Sequence, residues 1–580
     1  MTGGGGLGLL LRYARPRKRA LGLLGGLLLS AVLLEVATPL VVRGYIDSAY
    51  SDAALRVLVV LALSYLGLAM VLQGLRVVAT YVGENAAWAM TNEMRADLTQ
   101  HCLELDFRFH KEHTPGELIE RVDGDVSALS RFLSSAFLVI IGNVLLFVGI
   151  FVTLFITAWR IGLVLAIYAV CAIGVLFAVR NIATKAWWQV RESSATLFGF
   201  VEERLSSTED IRSSGAEAHV LGRLGGLGQD VLRWQRSARI RGSLIFISMH
   251  GLYVLAYGIA LAVGAYLYLQ GLATIGTVYL VVAYSNAIYT PLNEVRAQIQ
   301  DLQRAQASVA RINDLFATAS TVTDGPGVDL PDGALAVEFD RVSFAYADGE
   351  AMVLTDVSFA VQPGAVLGVL GRTGSGKTSV ARLVARMYDP AAGTVRLGGA
   401  DARDARVAQI RERVGMVTQE VQLFPGTVRD NLALFDEAIG DDAIATAIAR
   451  LGLGQWFGRL SDGLETVLDG DGGGMSAGEA QLLGVCRVFL RDPSVVILDE
   501  ASSRLDRATE ALLDTALTEL LRGRTGLVIA HRLATLDRTD QIMIMEEGRV
   551  VEFGERTALL RDPGSRLAAL HDLAGQETPA

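Results

Sequence analysis

Residues 371–378 read GRTGSGKT, the spacing G-x-x-x-x-G-K-[ST] of a loop that wraps phosphate groups. Gly371, Gly374 and Gly376 let backbone N–H groups turn toward phosphate oxygens, with Arg372, Thr373 and Ser375 completing the loop. Lys377 supplies charge to the β- and γ-phosphates. Thr378 and Ser379 open the next helix, where the Thr378 hydroxyl can ligate Mg2+ and the helix dipole favours an anion. Further along, VVILDE reads as a buried strand ending in two carboxylates, Asp499 and Glu500. An acid beside a metal-associated aspartate suits the activation of water for attack on a phosphate. The two motifs together predict a site for ATP and Mg2+.

The strands and helices that hold these residues lie in the second half of the chain. From Leu335, short β-branched runs (AVEFDRVSF, AVLGVLG, SVVILDE, TGLVIAH, QIMIMEEGRVV) alternate with helical segments. That alternation predicts an α/β domain with a largely parallel sheet. Residues 365–370 are the strand that enters the phosphate loop. Before the domain, TASTVTDGPGVDLPD (residues 318–332) is a linker rich in Gly, Pro, Asp and Thr. Domain boundaries are placed at 1–317, 318–333 and 334–580.

The first 317 residues are a different material. Mean hydropathy over the 580 residues is +0.38, with the apolar excess mostly before about residue 295. Six stretches, near 20–42, 55–81, 134–158, 161–182, 244–269 and 273–292, are each long enough to cross a bilayer, which takes about 20 mostly apolar residues. Trp159 and Arg160 are expected to form a tight turn between the third and fourth, and Gln270, Gly271 and Leu272 one between the fifth and sixth. Arg12, Arg15, Arg17, Lys18 and Arg19 precede the first span and place the N-terminus in the cytoplasm. Six spans return the α/β domain to that side. The N-terminal apolar run is too long for a signal-peptide core and shows no convincing A-x-A cleavage site.

Residues 82–133 and 183–243 are charge-mixed, poor in Pro and Gly, and read as long helices continuing into the cytoplasm. Breaks are expected at His113-Thr114-Pro115-Gly116 and at Ser213-Ser214-Gly215. The net charge of −10 gives no support for a nucleic-acid partner. Cys102, Cys171 and Cys486 are odd in number and lack metal-ligand spacing, so neither zinc nor a disulfide framework is indicated.

With spans and motifs in place, the chain resembles, over nearly its whole length, a half-transporter of the ATP-binding cassette (ABC) superfamily. The type is an exporter, with a six-span helical transmembrane domain followed by an α/β P-loop ATPase domain. The resemblance implies roles. Tyr346 matches the aromatic that stacks on adenine. Gln419, in GMVTQEVQLFPGTVRDN, matches the glutamine that reports on Mg2+ and touches the membrane domain. Asp499 matches the Mg2+-associated aspartate, Glu500 the general base and His531 the histidine on the γ-phosphate. Asp506, in SSRLD, matches the loop that crosses to the opposite subunit. Read singly, a histidine after a strand or a tyrosine near one is ordinarily structural; order and spacing carry the assignment. Catalysis thus falls to Glu500, His531 and Lys377, and the metal to Thr378, Gln419 and Asp499.

The family's signature, usually L-S-G-G-Q, stands here as Met475-Ser476-Ala477-Gly478-Glu479. It is a helix N-terminus presented to the γ-phosphate of ATP held by another subunit. Ser476 and Glu479 have capping-box spacing, which predicts an intact helix start. Ala477 adds a methyl group where glycine permits close approach. Glu479 brings a negative charge near a polyphosphate, at a cost of about 1 kcal/mol or more. Gly470 replaces a glutamate common in exporters, and Arg504 a small residue of the crossing loop. These changes lie on surfaces offered to a partner or to coupling loops, while the chain's own phosphate, Mg2+ and water residues are intact. The asymmetry favours a heterodimer with a second half-transporter over a homodimer.

Phe109-His110, Thr114–Leu118, Arg121 and Asp125 resemble the first cytoplasmic loop of this class, and the stretch from Glu202 to Arg212 the second. Within the spans, Glu35, Gln73, Arg76, Asn143, His250 and Asn286 are the polar residues costly in hydrocarbon. Tyr253, Tyr257, Tyr284 and Tyr289 are candidates to line a cavity or to pack. The expectation is ATP-driven transport, export before import, of a hydrophobic or amphipathic solute across the cytoplasmic (inner) membrane. Import of a metal chelate and a membrane regulator that moves no solute are the alternatives.

Overall fold

The computed structural model describes residues 3–179, 182, 184–347, 349–469, 475–499, 507–530 and 533–576. The chain folds as two compact units, the first comprising residues 1–101 and 116–318, the second 102–115 and 319–580.

The first unit is helical. In chain order its helices are α1 (Gly3–Ala14), α2 (Lys18–Tyr50) and α3 (Leu55–Glu104), whose last residues belong, with α4 (Phe107–Glu112), to the second unit. Then come α5 (Pro115–Ile119), α6 (Val126–Arg131), α7 (Phe137–Val179), α8 (Thr184–Ser206), α9 (Thr208–Ser213), α10 (Glu217–Leu269) and α11 (Ile275–Ala317). Among the described residues, four stretches are long and apolar enough to cross a membrane: Gly8–Tyr50, Leu55–Glu104, Pro115–Thr157 and His250–Leu269. Two shorter apolar stretches, Trp159–Cys171 and Ile275–Ile288, overlap the fourth and sixth expected spans.

Helical hydrogen bonding runs unbroken through α7, yet the chain bends sharply within it. A Cβ on Gly162 would lie 3.4 Å from the backbone nitrogen of Phe155. In a straight helix seven residues rise about 10 Å. α7 is therefore not straight between Phe155 and Gly162. Val32, Val36, Ile150, Leu154, Leu165, Ala260, Leu280 and Ile288 make one buried core for α2, α7, α10 and α11. Tyr284 is buried in it and donates its hydroxyl proton to the Val36 carbonyl at 2.8 Å, pinning α11 to α2. At the far end of α2, the Asp47 carboxylate accepts from the Thr274 hydroxyl and the Gly276 N–H, both at 2.9 Å. Buried Asp125 accepts hydrogen bonds from Arg311 and Ser308 and ties the segment between α5 and α6 to α11.

The second unit is built on strands: β1 (Val337–Phe344), β2 (Leu354–Val361), β3 (Val366–Gly371), β4 (Ala392–Leu397), β5 (Ala400–Asp401) and β6 (Val414–Val417). The short pair β7 (Gly426–Thr427) and β8 (Val467–Leu468) follows, then β9 (Val495–Asp499), β10 (Thr525–Ile529), β11 (Gln541–Glu546) and β12 (Arg549–Glu555). A six-stranded sheet runs β12-β11-β3-β10-β9-β6, parallel throughout apart from the edge strand β12. A second sheet, β2-β1-β4-β5, is antiparallel. Both β3 and β10 are buried along their length, as strands covered on two faces must be.

The Asp106 carboxylate helps to fasten residues 102–115 within this unit. Asp106 caps α4 by accepting from the Phe109 N–H at 3.1 Å, and also accepts from the Thr321 hydroxyl at 2.6 Å, the Thr321 N–H and the Ser320 hydroxyl. The start of the first loop is thereby fastened to the segment that opens the α/β unit.

Candidate active site

The phosphate loop leaves the sheet from β3, between β11 and β10. Val369, Ile529 and Asp499 are level across the parallel strands β3, β10 and β9. With strands about 4.8 Å apart, Asp499 sits roughly 10 Å along the sheet edge from the start of the loop. Val417 of β6 pairs with Leu498, so Gln419 emerges from the same carboxyl edge. Parallel sheets bind their ligands beyond this edge.

The loop is cut to backbone dimensions. Gly371, Gly374 and Gly376 have φ of 154°, 86° and 99°. A Cβ on Gly371 would come within 2.4 Å of the Met545 carbonyl oxygen, and one on Gly376 within 2.5 Å of Leu354 Cδ2. Arg372 and Thr373 are exposed, whereas Ser375, Lys377 and Ser379 are buried. Lys377 Nζ donates to the carbonyls of Gly371 at 2.7 Å and Arg372 at 3.0 Å, which holds the ammonium across the mouth of the loop. Ser375 Oγ is buried and has no hydrogen-bond partner among the described residues. Gly376 caps the following helix, Lys377–Val384, without a side-chain bond to its first N–H groups. An orphaned hydroxyl, a buried cation and uncapped N–H groups fit a polyphosphate. Thr378 is half-buried beside them, and its hydroxyl, with Gln419 and Asp499 on the same sheet edge, offers oxygen donors of the kind that suit Mg2+.

Tyr346 follows β1 and is fixed at its edge. Its hydroxyl accepts from Arg382 at 2.9 Å and shares a hydrogen bond with Ser379 Oγ at 2.9 Å. Buried Phe344 and Tyr388 meet the ring nearly at right angles, with centroids 4.9 and 5.2 Å away. The adenine-stacking candidate and the phosphate loop are thus linked through Ser379, two residues after Lys377.

The signature segment opens the helix Ala477–Leu490, and the capping box expected from its spacing is present. The Glu479 N–H donates to Ser476 Oγ at 3.3 Å. The Glu479 carboxylate in turn accepts from the Ser476 N–H at 2.9 Å and from the Ser476 hydroxyl at 3.0 Å. Gly478 is buried and Ser476 exposed. Two turns into this helix Cys486 is fully buried, which pushes its thiol up to about 12 and leaves it without thiolate chemistry. Glu500, His531, Gly470, Arg504 and Asp506 lie outside the described residues.

Four contributors escape motif reading. Arg382 orients Tyr346, and Gln481 donates from the signature helix to the Gln419 carbonyl at 3.3 Å. Asp106 docks the first loop, and Lys111 of α4 places its ammonium 4.0 Å from the centroid of the Tyr346 ring. Arg382 stands three residues after Ser379 and was findable as its helix neighbour. The other three act across gaps in sequence that no local pattern spans. A cleft of about 670 Å³ lies between the 103–110 segment and the rest of the α/β unit, lined among others by Asp106, His110, Arg386, Met416, Arg411 and Arg491. None of residues 371–378 lines it.

The polar span residues find partners. Arg76 and Glu35 are paired at 2.6 Å, Asn143 donates to Glu294 at 2.7 Å, and Tyr253 donates to Asn286. The rings of His250 and Tyr257 each lie 6.0 Å from that of Tyr253, and Gln73 is exposed. The side chain of Tyr289 lies outside the described residues.

Comparison with known proteins agrees along both units. Residues 21–292 match the ABC transporter transmembrane region and residues 354–503 the ABC transporter ATPase family. An ABC transporter ATP-binding protein of Bacillus subtilis, YfiC, is 31% identical over 81% of this chain and 78% of its own length. The ATP-dependent lipid A-core flippase of Chromobacterium violaceum is 28% identical over 95% and 94%. A multidrug efflux ATP-binding/permease protein of Mycobacterium tuberculosis is 32% identical over 94% of this chain and 46% of its own length. In fold, a bacterial Atm1-family ABC exporter solved with ATP bound superposes with a TM-score of 0.82 at 21% identity, covering 97% of this chain and 99% of that one.

Proposed function

Because the chain belongs to the ABC transporter family, as a half-transporter whose transmembrane region is fused to an ATP-hydrolysing cassette, we propose that it exports a hydrophobic or amphipathic solute across the cytoplasmic membrane. It would act as one subunit of a dimer and by alternating access. The observation that carries this reading is the loop at residues 371–378, with its orphaned Ser375 hydroxyl and buried Lys377, on the same sheet edge as Asp499 and Gln419. Relatives named for lipid A, multidrug and fatty-acid transport support an amphipathic cargo.

In this reading ATP lies with its phosphates in the loop and its adenine on Tyr346. Thr378, Gln419 and Asp499 would hold Mg2+, which would supply charge neutralisation for the phosphates. Lys377 and the first N–H groups of its helix hold the phosphoryl group as charge builds in transfer, which is where most of the rate enhancement in such reactions arises. Glu500 would take the proton of the attacking water, and His531 would steady the γ-phosphate. Closure on ATP shifts the population of the spans because the nucleotide binds the closed arrangement better than the open one. The 670 Å³ cleft is a suitable dock for the second cytoplasmic loop of the other subunit. Arg411 and Arg491 at its wall have no ion pair among the described residues, and α9 with its approach carries Glu202, Glu203, Glu209 and Asp210.

The self-capped signature supports the heterodimer. Ser476 already has its hydroxyl and N–H engaged by Glu479, so this chain offers a weak signature while keeping its own phosphate and Mg2+ residues. The test is transport into proteoliposomes with the complete assembly. ATP-dependent movement of a fluorescent lipid or cationic dye is expected, and it stops with Lys377→Ala. Hydrolysis without movement of any such probe would refute export; hydrolysis surviving Lys377→Ala would refute the site.

A further inference from the structure

Lys111 stands on α4 of the first cytoplasmic loop, in the same structural unit as the phosphate loop. Its side chain is exposed, and its ammonium lies 4.0 Å from the centroid of the Tyr346 ring. The surroundings of that ring define what this contact means. The Tyr346 hydroxyl is held by Arg382 and Ser379, and buried Phe344 and Tyr388 close on it from the core. The Arg382 guanidinium also stands over the ring, 5.7 Å from its centroid, and the Lys111 ammonium lies closer, at 4.0 Å. A purine stacked on Tyr346 puts its atoms at van der Waals separation, about 3.5–4.0 Å from the ring. An ammonium at 4.0 Å already stands in that layer.

We infer that Lys111 and the adenine of ATP are alternative occupants of one face of Tyr346. Binding of the base displaces the lysine, and through it the first loop registers that a nucleotide has arrived. This rests on the reading of Tyr346 as the adenine platform. The consequence is a linkage between two equilibria. Whatever the lysine contributes to holding α4 against the cassette must be given up when the base stacks, and by reciprocity loop docking weakens base binding by the same factor. A cation over an exposed aromatic ring stabilises modestly, which corresponds to about a two- to fivefold effect on affinity. The inference has a counterintuitive sign. Removing a positive charge near a polyphosphate site ordinarily weakens binding, whereas removing this one strengthens it.

The experiment compares ATP with inorganic tripolyphosphate, which has the charge and no base. Binding of each to the full-length protein in nanodiscs is measured by calorimetry, without Mg2+ so that hydrolysis does not intrude, for the native chain and Lys111→Met. Methionine keeps the length of the stem and removes the ammonium. ATP should bind about two- to fivefold more tightly to the variant, while tripolyphosphate binds the same or slightly more weakly. In a Tyr346→Leu background, Lys111→Met should no longer change ATP affinity. ATP binding that is unchanged or weaker in Lys111→Met overturns the inference, as does equal tightening of both ligands. If Tyr346→Leu alone leaves the ratio of the two affinities unaltered, the platform reading falls with it. If that ratio collapses while Lys111→Met is silent, only the role of Lys111 is lost.

Discussion

Two segments of this chain place a glycine at or beside a helix N-terminus, and they cap that helix start in different ways. At residues 371–378 the cap is Gly376, which has no side chain to satisfy the N–H groups of the first turn, and Ser375 Oγ is buried without a partner among the described residues. At residues 475–479 the cap is Ser476, and Glu479 folds back so that both the N–H and the hydroxyl of Ser476 are taken. Each helix start leaves N–H groups that need acceptors. One holds them in reserve for a ligand; in the other, Ser476 Oγ accepts from the Glu479 N–H while the Glu479 carboxylate takes the Ser476 N–H and hydroxyl. The caps differ in backbone, Gly376 being left-handed at φ 99° and Ser476 extended at φ −69°, but the engagement of Ser476 rests on the Glu479 side chain, which makes it open to point mutation.

The largest effect is expected on the open side. Lys377→Ala removes the buried ammonium that bridges the loop carbonyls, and phosphate release should fall by about 10²–10³-fold, as for other preorganised charge stabilisers. A fall of less than tenfold would mean that the loop does not hold the transferring group. On the closed side, Glu479→Gln keeps an acceptor for the Ser476 N–H and removes the charge. Relief of about 1 kcal/mol of repulsion corresponds to roughly a fivefold gain in turnover of the assembled transporter. An unchanged or lower rate would show that the self-cap does not oppose a γ-phosphate. Ala477→Gly, which removes a methyl group from the same approach, should add a smaller gain in the double variant.

The open side was legible in sequence because its chemistry is local. Glycines, lysine and threonine at fixed spacing fold into the loop whatever surrounds it, and the β-branched runs on either side read directly as β3 and β9. The cap at Ser476–Glu479 was legible for the same reason, since both partners lie within one turn. Contacts that join distant segments were not. Asp106 meets Thr321 and Lys111 meets Tyr346 across more than two hundred residues, and neither pairing leaves a periodic or motif signal. Hence the 102–115 segment reads as part of a cytoplasmic helix of the membrane half, while its contacts lie with the cassette. Within the spans, composition marks Glu35, Arg76, Asn143 and Asn286 as polar, but only the fold shows that they pair with one another or with Glu294 and Tyr253.

Asp106 sharpens the comparison from a third helix start. Like Glu479 it is a carboxylate that caps its own helix, but it is buried and its acceptors are shared with Ser320 and Thr321 of the connecting segment. Burial pushes its carboxyl up, and the hydrogen bonds from Thr321, the Phe109 N–H and Ser320 outweigh this and hold it below the usual carboxylate range. A depressed carboxylate contributes stability that is fully present above the unfolded value of about 3.9 and is lost as pH falls through the lower folded value. Docking of α4 on the linker should therefore be constant between pH 5 and 8 and weaken only below about pH 4. Asp106→Asn should cost about 1–2 kcal/mol at neutral pH, seen as faster proteolysis of the linker at residues 318–333. The gap between native chain and variant should narrow only in acid. Such a closed cap is structural and insensitive to ATP. The exposed Ser476 cap, proposed to meet a partner's nucleotide, should instead change its protection in hydrogen exchange when ATP is added to the assembly; equal silence at both sites would erase the distinction drawn between them.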